Sequence, residues 1–134
     1  MMNGLWLGDV ATLRALPPGV DAVVSLCRVH DDDLPVGVEQ IDVRLIDDVG
    51  PDANPNLDFV LTDTVRLIEQ LRNEGRTVLV HCVAAVSRTP TVAALYGAHR
   101  QGINGEAALR EVTSALPDAH PNSDFRRALE ILAP

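Results

Sequence analysis

The chain has 134 residues, 46% of them hydrophobic and 22% charged, which is ordinary for a soluble globular protein, and we expect residues 1–134 to form a single domain. A net charge of −8 argues against nucleic acid or an anionic membrane as a partner, because both attract surfaces rich in Lys and Arg. No apolar run is long enough to cross a membrane and no secretory leader opens the chain, so we expect a cytoplasmic protein.

The first half of the chain predicts three strands and one short helix. Leu5–Leu7 is a short apolar stretch typical of an edge strand, and Asp9 is placed to cap a short helix after it. The β-branched, largely apolar run at residues 20–27 predicts a buried strand. Residues 28–37 contain three consecutive Asp and predict a solvated loop. Residues 40–46 then alternate apolar and polar side chains, which is the strand period.

The second half predicts one further strand among helices. Apolar side chains recur at helical spacing over residues 57–71, after a loop rich in Gly, Pro and Asn. The run at residues 77–81 has a buried-strand pattern and leads directly into a long helix, which Gly102 can terminate. Candidate N-caps of the last two helices are Asn104, and Asn122 or Ser123.

Strands that alternate with helices predict an α/β fold, here a compact sandwich with a central, mostly parallel sheet of about four to five strands. Ligands of such folds bind beyond the carboxyl ends of the strands. The strand at 77–81 ends in reactive side chains, so we expect the functional site there. The aromatic residues expected to pack in the core are Trp6, Phe59, Tyr96 and Phe125.

Cys82 lies at the turn between that strand and the helix that follows. The N-terminus of a helix offers free backbone N–H groups and the positive end of a dipole, and both favour the nucleophilic thiolate. Arg88 can curl over the same concavity, where its planar guanidinium matches two oxygens of a tetrahedral anion. The intervening N–H groups can bind the remaining oxygens. The pattern therefore predicts a cysteine nucleophile that attacks a bound phosphate.

The stretch from His81 to Thr89 resembles the C-x5-R loop of the protein tyrosine phosphatase superfamily, in its dual-specificity branch. Leu5–Gly8, the approach strand Val78–His81, and Pro121-Asn122 before Phe125 are also similar to that family. The resemblance implies a phosphatase fold, a cysteinyl-phosphate intermediate on Cys82, and no metal or cofactor. It makes His81 and Thr89 supporting residues, the first orienting the loop and the second donating to the sulfur. The phosphate-binding residues would be Val83, Ala84, Ala85, Val86, Ser87 and Arg88.

Ala85 departs from the family pattern, which has glycine three residues after the nucleophile. Glycine serves where the backbone takes a positive φ or approaches a ligand closely, and another residue there costs about 1 kcal/mol. The sequence therefore supports a second interpretation, a pseudophosphatase-type module that binds phosphate but turns it over poorly. A third is a phosphatase of small phosphomonoesters rather than of phosphorylated proteins carrying phosphotyrosine and, in a shallow cleft, phosphoserine or phosphothreonine.

The leaving oxygen needs a proton, and a carboxyl group on a nearby loop can supply it. In the family this Asp follows a strand upstream of the nucleophile, where this chain has Asp47 and Asp48, with Asp52 further on. The match favours Asp48, with Asp47 as the alternative acid and Asp52 as a third candidate. Replacing each by Asn in turn separates a general acid from an ordinary solvated carboxylate.

Cys27 ends the second predicted strand. Some members of the family carry a cysteine there that pairs with the oxidised nucleophile, which would make the pair a redox switch; a buried free thiol is the alternative. Cys27, His30, His81 and Cys82 lack the paired spacing of zinc sites, so no metal is expected.

Overall fold

The computed structural model describes residues 4–134, in which four parallel strands form one sheet and helices pack against it. The strands are β1 (Leu5–Gly8), β2 (Ala22–Ser25), β3 (Glu39–Asp42) and β4 (Val78–His81), in the spatial order β1-β4-β2-β3. The helices are α1 (Leu57–Asn73), α2 (Arg88–Gln101), α3 (Gly105–Ala115) and α4 (Ser123–Leu132). The predicted α/β class is confirmed. No helix in this part of the chain is both long and apolar enough to cross a membrane.

The two central strands are buried on both faces, which explains their continuous apolar sequence. Val24 and Val80 belong to the large core between the sheet and the helices. Val23 and Leu79 point the other way and pack with Leu13 of a short 3-10 helix, Val10–Arg14. The sheet therefore has a helical layer on one face and a thin cover on the other.

Of the four aromatic residues expected in the core, Tyr96 and Phe125 are fully buried and Trp6 is partly buried against the smaller cluster. Phe59 is 72% exposed, so the packing expectation is wrong for this residue. The buried face of α1 repeats at the helical spacing and leaves Phe59 outside it. The buried residues of that face are Leu61, Thr64, Val65, Ile68 and Leu71.

The predicted helix signals act where they were expected. Gly102 ends α2 with a φ of 69°, in the left-handed region that suits glycine. The side chain of Asn104 accepts a hydrogen bond from the N–H of Ala107 at the start of α3, at 2.8 Å. Of the two candidate caps of α4, Asn122 makes the bond, to the N–H of Phe125 at 3.0 Å. These caps fix the direction in which each helix enters the fold.

The sheet register aligns the carboxyl ends of all four strands. Gly8 pairs with His81, His81 with Ser25, and Ser25 with Asp42. Because the strands are parallel, the loops that follow them emerge along one edge of the sheet. This edge brings Cys82 next to segments that are far from it in the sequence.

Candidate active site

The candidate site is the loop between β4 and α2, together with the loop that faces it. Cys82 is 2% exposed. The next two residues, Val83 and Ala84, are exposed, and the loop ends where α2 begins, at Arg88. These residues border a cleft of about 290 Å³. Its lining residues are Asp47, Cys82, Val83, Ala84, Val86, Ser87 and Arg88. The structure therefore brings together the predicted nucleophile, the predicted phosphate-binding arginine and one of the three candidate acids.

Two buried side-chain polar atoms in the described residues lack a hydrogen-bond partner, and both are in the first turn of α2, directly after this loop: Arg88 Nε and Thr89 Oγ1. Arg88 Nη1 donates to the carbonyl oxygen of Leu45 at 3.1 Å, which fixes the guanidinium beneath the facing loop. A buried polar atom without a partner is costly and rare in folded proteins. The arrangement suits an anion that accepts from the guanidinium. The Thr89 hydroxyl makes no hydrogen bond to the Cys82 sulfur in the structure, so its expected role as a donor to that sulfur stays a prediction.

Two separate segments, one at Val10 and one at residues 120–122, hold the loop in place from outside. The N–H of Val10 donates to the carbonyl of Val83 at 3.2 Å, and the N–H of His120 donates to the carbonyl of Val86 at 2.7 Å. The N–H of Asn122 donates to Ser87 Oγ at 3.0 Å. The loop carbonyls thus point outward into these bonds, which is the orientation that an inward-facing ring of N–H groups requires.

Ala85 adopts a φ of 58° and is the one residue other than glycine with a positive φ in the described chain. The sequence predicted that position 85 has a backbone conformation that suits glycine, and the positive φ confirms this prediction. A left-handed conformation costs an alanine about 1–2 kcal/mol, because its Cβ crowds the carbonyl that follows. The loop stores this strain and is held by the outside contacts.

We expect Ala85→Gly to raise the free energy of unfolding by about 0.5–1 kcal/mol. The relief of left-handed strain exceeds the entropy that glycine adds to the unfolded chain. Urea denaturation measures the change. Ala84→Gly is the matched control, since Ala84 has no positive φ and glycine there should cost about 0.5–1 kcal/mol. Equal destabilisation by both substitutions would contradict the strain at Ala85.

His81 is fully buried beneath the loop and belongs to a polar chain that crosses the sheet. Gln40 Nε2 donates to Ser25 Oγ at 3.1 Å, and Ser25 Oγ lies 2.6 Å from His81 Nε2. Burial lowers the pKa of His81, and a hydrogen bond with the backbone of Cys82 opposes that shift. A neutral imidazole held in this way contacts the backbone of Cys82. That it orients the loop, as the resemblance implies, stays a prediction. Gln40 and Ser25 were missed, because only the strand register places them beside His81.

The loop that faces Cys82 contains the candidate acids. Asp47 lines the cleft, and its Oδ1 accepts a hydrogen bond from Asn122 Nδ2 at 2.9 Å. Asp48 does not line it; its Oδ1 accepts from the N–H of Val49 at 2.8 Å. Asp52 is exposed and also lies outside the lining. The geometry therefore favours Asp47 over the Asp48 preferred from the sequence.

Cys27 is 3% exposed and lies under the loop, with its sulfur 3.9 Å from His81 Nδ1. Burial raises the pKa of the Cys27 thiol; the charge of Arg88 lowers it, and the charge of Cys82 raises it. Cys27 therefore lies beside the side chain of His81, the residue that directly precedes Cys82.

We expect peroxide treatment to produce a Cys27–Cys82 disulfide. Peroxide converts the Cys82 thiolate to a sulfenic acid. The Cys27 thiolate then attacks that sulfur, the S–O bond breaks, and hydroxide leaves and takes a proton from solvent to become water. Because the pKa of Cys27 is raised, little thiolate is present near neutrality, so the second step should accelerate about tenfold per pH unit below that pKa. Peptide mass spectrometry at two pH values measures the link. In Cys27→Ser, Cys82 should be oxidised beyond the sulfenic acid; absence of the link at both pH values would leave Cys27 as a buried free thiol.

Comparisons with known proteins point to one family. A model described as "Dual specificity phosphatase, catalytic domain" matches residues 18–132. Dual specificity protein phosphatase 1 of Arabidopsis thaliana is 33% identical over 97% of this chain and 66% of its own length. Dual specificity protein phosphatase 22 of Homo sapiens is 29% identical over 97% of this chain and 70% of its own length. The crystal structure of human DUSP28 superposes with a TM-score of 0.85 at 27% identity, covering 98% of this chain and 88% of that one.

Proposed function

Since the chain belongs to the dual specificity phosphatase family, we propose that it hydrolyses phosphomonoesters through a cysteinyl-phosphate on Cys82. The observation that carries the proposal is Arg88 Nε, a buried donor without a partner beside the cleft that contains Cys82. A phosphate oxygen satisfies that donor with a charge-assisted hydrogen bond. The N–H groups of the first turn of α2 lack partners within the helix and can bind the other oxygens.

The reaction proceeds in two displacements at phosphorus. The Cys82 thiolate attacks, the bond to the ester oxygen breaks, and Asp47 donates its proton to that oxygen. Water then attacks the phosphocysteine while Asp47 accepts a proton, and the sulfur leaves as a thiolate that Thr89 Oγ1 stabilises by donating to it. The guanidinium of Arg88 stabilises the negative charge on the equatorial phosphoryl oxygens in both steps. These steps need neither a metal nor a cofactor.

The cleft supports phosphorylated proteins as substrates, with phosphotyrosine and also phosphoserine or phosphothreonine. No aromatic side chain is among its lining residues in the described chain, so its walls do not select for a phenol ring. Val83, at its rim, is 55% exposed and offers an apolar contact to either kind of side chain. The two named relatives are themselves called dual specificity phosphatases. Small phosphomonoesters fit the same walls and remain the competing substrate class.

A pseudophosphatase-type binding module is the second candidate function, and the strained Ala85 favours it. Strain in the phosphate loop can shift the ring of N–H groups away from the position that the transition state needs, although Cys82 and Arg88 are retained. Such a module would bind a phosphopeptide with little turnover.

Initial rates on phosphotyrosine, phosphothreonine and phosphoserine peptides, and on a small alkyl phosphate, test these alternatives. The wild type and Ala85→Gly are compared side by side, together with peptide binding measured by calorimetry. Turnover of the peptides by the wild type supports the enzyme. Binding without turnover, with activity gained in Ala85→Gly, would establish the binding module instead. If the alkyl phosphate is hydrolysed faster than every peptide, small phosphomonoesters would replace phosphorylated proteins as the proposed substrate class.

A further inference from the structure

One residue at the N-terminus of α4, Asn122, contacts both loops of the candidate site, one through its backbone and the other through its side chain. Its backbone N–H donates to Ser87 Oγ at 3.0 Å in the phosphate-binding loop. Its Nδ2 donates to Asp47 Oδ1 at 2.9 Å and lies 3.4 Å from the carbonyl oxygen of Asp48. Its Oδ1 accepts from the N–H of Phe125 at 3.0 Å, which is the cap of the helix. The amide is thus engaged at both ends.

The orientation of this amide is fixed by the chemistry of its partners. A backbone N–H can only donate, so it must face the amide oxygen of Asn122. An ionised carboxylate can only accept, so Asp47 must face the amide nitrogen. A flipped amide would lose both bonds. Because the amide is planar, the helix cap determines where the Nδ2 hydrogen points.

Further contacts hold the facing loop against the same helix. The N–H of Gly50 donates to Asp124 Oδ2 at 2.9 Å, in the first turn of α4. Asn54 closes the base of the loop through two bonds to the backbone of Ile46, at 3.0 and 2.8 Å. The acid-bearing loop is therefore attached to α4 and closed upon itself, and Asn122 makes the one described contact between α4 and a candidate acid side chain.

We propose that Asn122 is a positioning residue for the general acid, a role that rests on the proposed function of Asp47. Its Nδ2–H holds Asp47 Oδ1, so the transferable proton resides on Oδ2. In the acid form, Oδ1 is a carbonyl oxygen that still accepts from Asn122. As the ester P–O bond breaks, the proton moves from Oδ2 to the leaving oxygen, and the carboxylate that remains keeps the same hydrogen bond. The same contact then orients Asp47 when it accepts a proton from water.

Asn122→Ser tests the donor without removing the cap, because serine also caps helices but lacks the amide nitrogen. We expect kcat to fall about 10- to 100-fold on phosphotyrosine, whose phenol needs a proton, and less than about 3-fold on an aryl phosphate with a strongly acidic phenol. Asn104→Ser is the matched control: it alters the equivalent cap of α3 at Ala107 and should leave both rates unchanged.

The double variant Asp47→Asn/Asn122→Ser decides whether the two residues act together. We expect it to be no slower on phosphotyrosine than Asp47→Asn alone. Equal slowing on both substrates, or additive losses in the double variant, would overturn the positioning role while leaving Asp47 as the acid. No leaving-group dependence in Asp47→Asn would instead overturn the assignment of the acid, and with it this inference.

An NMR measurement tests the contact without turnover: it records the side-chain amide resonances of Asn122 in the protein without substrate. They should shift in Asp47→Asn and stay in place in Asp48→Asn, because Asp47 contributes a side-chain oxygen and Asp48 a backbone oxygen. Unchanged resonances in both variants would refute the contact itself, even if the protein binds phosphate without hydrolysing it.

Discussion

Replacing Cys82 by Ser is expected to lower kcat for aryl phosphate hydrolysis by at least about 10⁴-fold while the fold is retained. A hydroxyl at this position is not ionised near neutrality, and the cleft lining includes no His that could accept its proton. The substitution removes little volume from a site that is 2% exposed, so its cost in stability should be about 1 kcal/mol or less. Steady-state kinetics and thermal unfolding measure the two effects.

Cys27→Ser is the matched control, because Cys27 is equally buried and lies under the same loop. It should change kcat by less than about 3-fold. The Cys82→Ser protein should still bind a phosphotyrosine peptide, since Arg88 and the N–H groups of the loop remain. Activity that survives in Cys82→Ser would eliminate the cysteinyl-phosphate mechanism. Loss of peptide binding together with activity would show that the substitution had disrupted the loop instead.

The placement of Cys82 and Arg88 around one cleft was predictable because their geometry is local. The pattern of residues 77–81 predicted a buried strand, and the turn from a strand into a helix determines where Cys82 and the α2 N-terminus lie relative to each other. Arg88 is the first residue of that helix, so a short loop fixes its distance from the sulfur. The unusual backbone at Ala85 was equally local, since a positive φ is a property of one residue.

The strand before the acid-bearing loop was predicted less well. The alternation at residues 40–46 indicated a strand of seven residues, but β3 ends at Asp42. Beyond it the N–H groups of Val43 and Leu45 still donate to the carbonyls of Ser25 and Leu26, at 2.8 and 3.3 Å. The carbonyl of Leu45 in turn accepts from Arg88 at the site. The side chain of Leu45 is buried, as the strand period predicts, while its carbonyl binds Arg88. Periodicity alone does not reveal the second role.

The choice between Asp47 and Asp48 could not be made from the sequence because it depends on a distant residue. Asn122 follows Asp47 by 75 positions, and its side-chain amide donates to the carboxylate of Asp47 but not to that of Asp48. The sequence offered Asn122 or Ser123 as the cap of α4, and the structure shows that Asn122 makes the bond. A cap pattern, however, involves only the amide oxygen. The partner of the amide nitrogen is decided by tertiary packing.

On phosphotyrosine, kcat of Asp47→Asn is expected to be about 10²- to 10⁴-fold lower than kcat of Asp48→Asn. Asp47 lines the cleft with Cys82, whereas the carboxylate of Asp48 is engaged by the N–H of the next residue, Val49. An asparagine at 47 can keep the bond with Asn122 through its amide oxygen but has no proton to transfer. The contrast therefore isolates proton transfer from loop geometry.

The measurement is a series of aryl phosphates whose phenols differ in acidity. In Asp47→Asn, log kcat should fall steeply as the phenol becomes less acidic, because the leaving oxygen then departs without a proton. The wild type and Asp48→Asn should share one shallow slope. A steep slope in Asp48→Asn alone would restore the assignment made from the sequence. Shallow slopes in both variants would mean that the proton reaches the leaving oxygen from another group, and Asp52→Asn would then be the variant to measure.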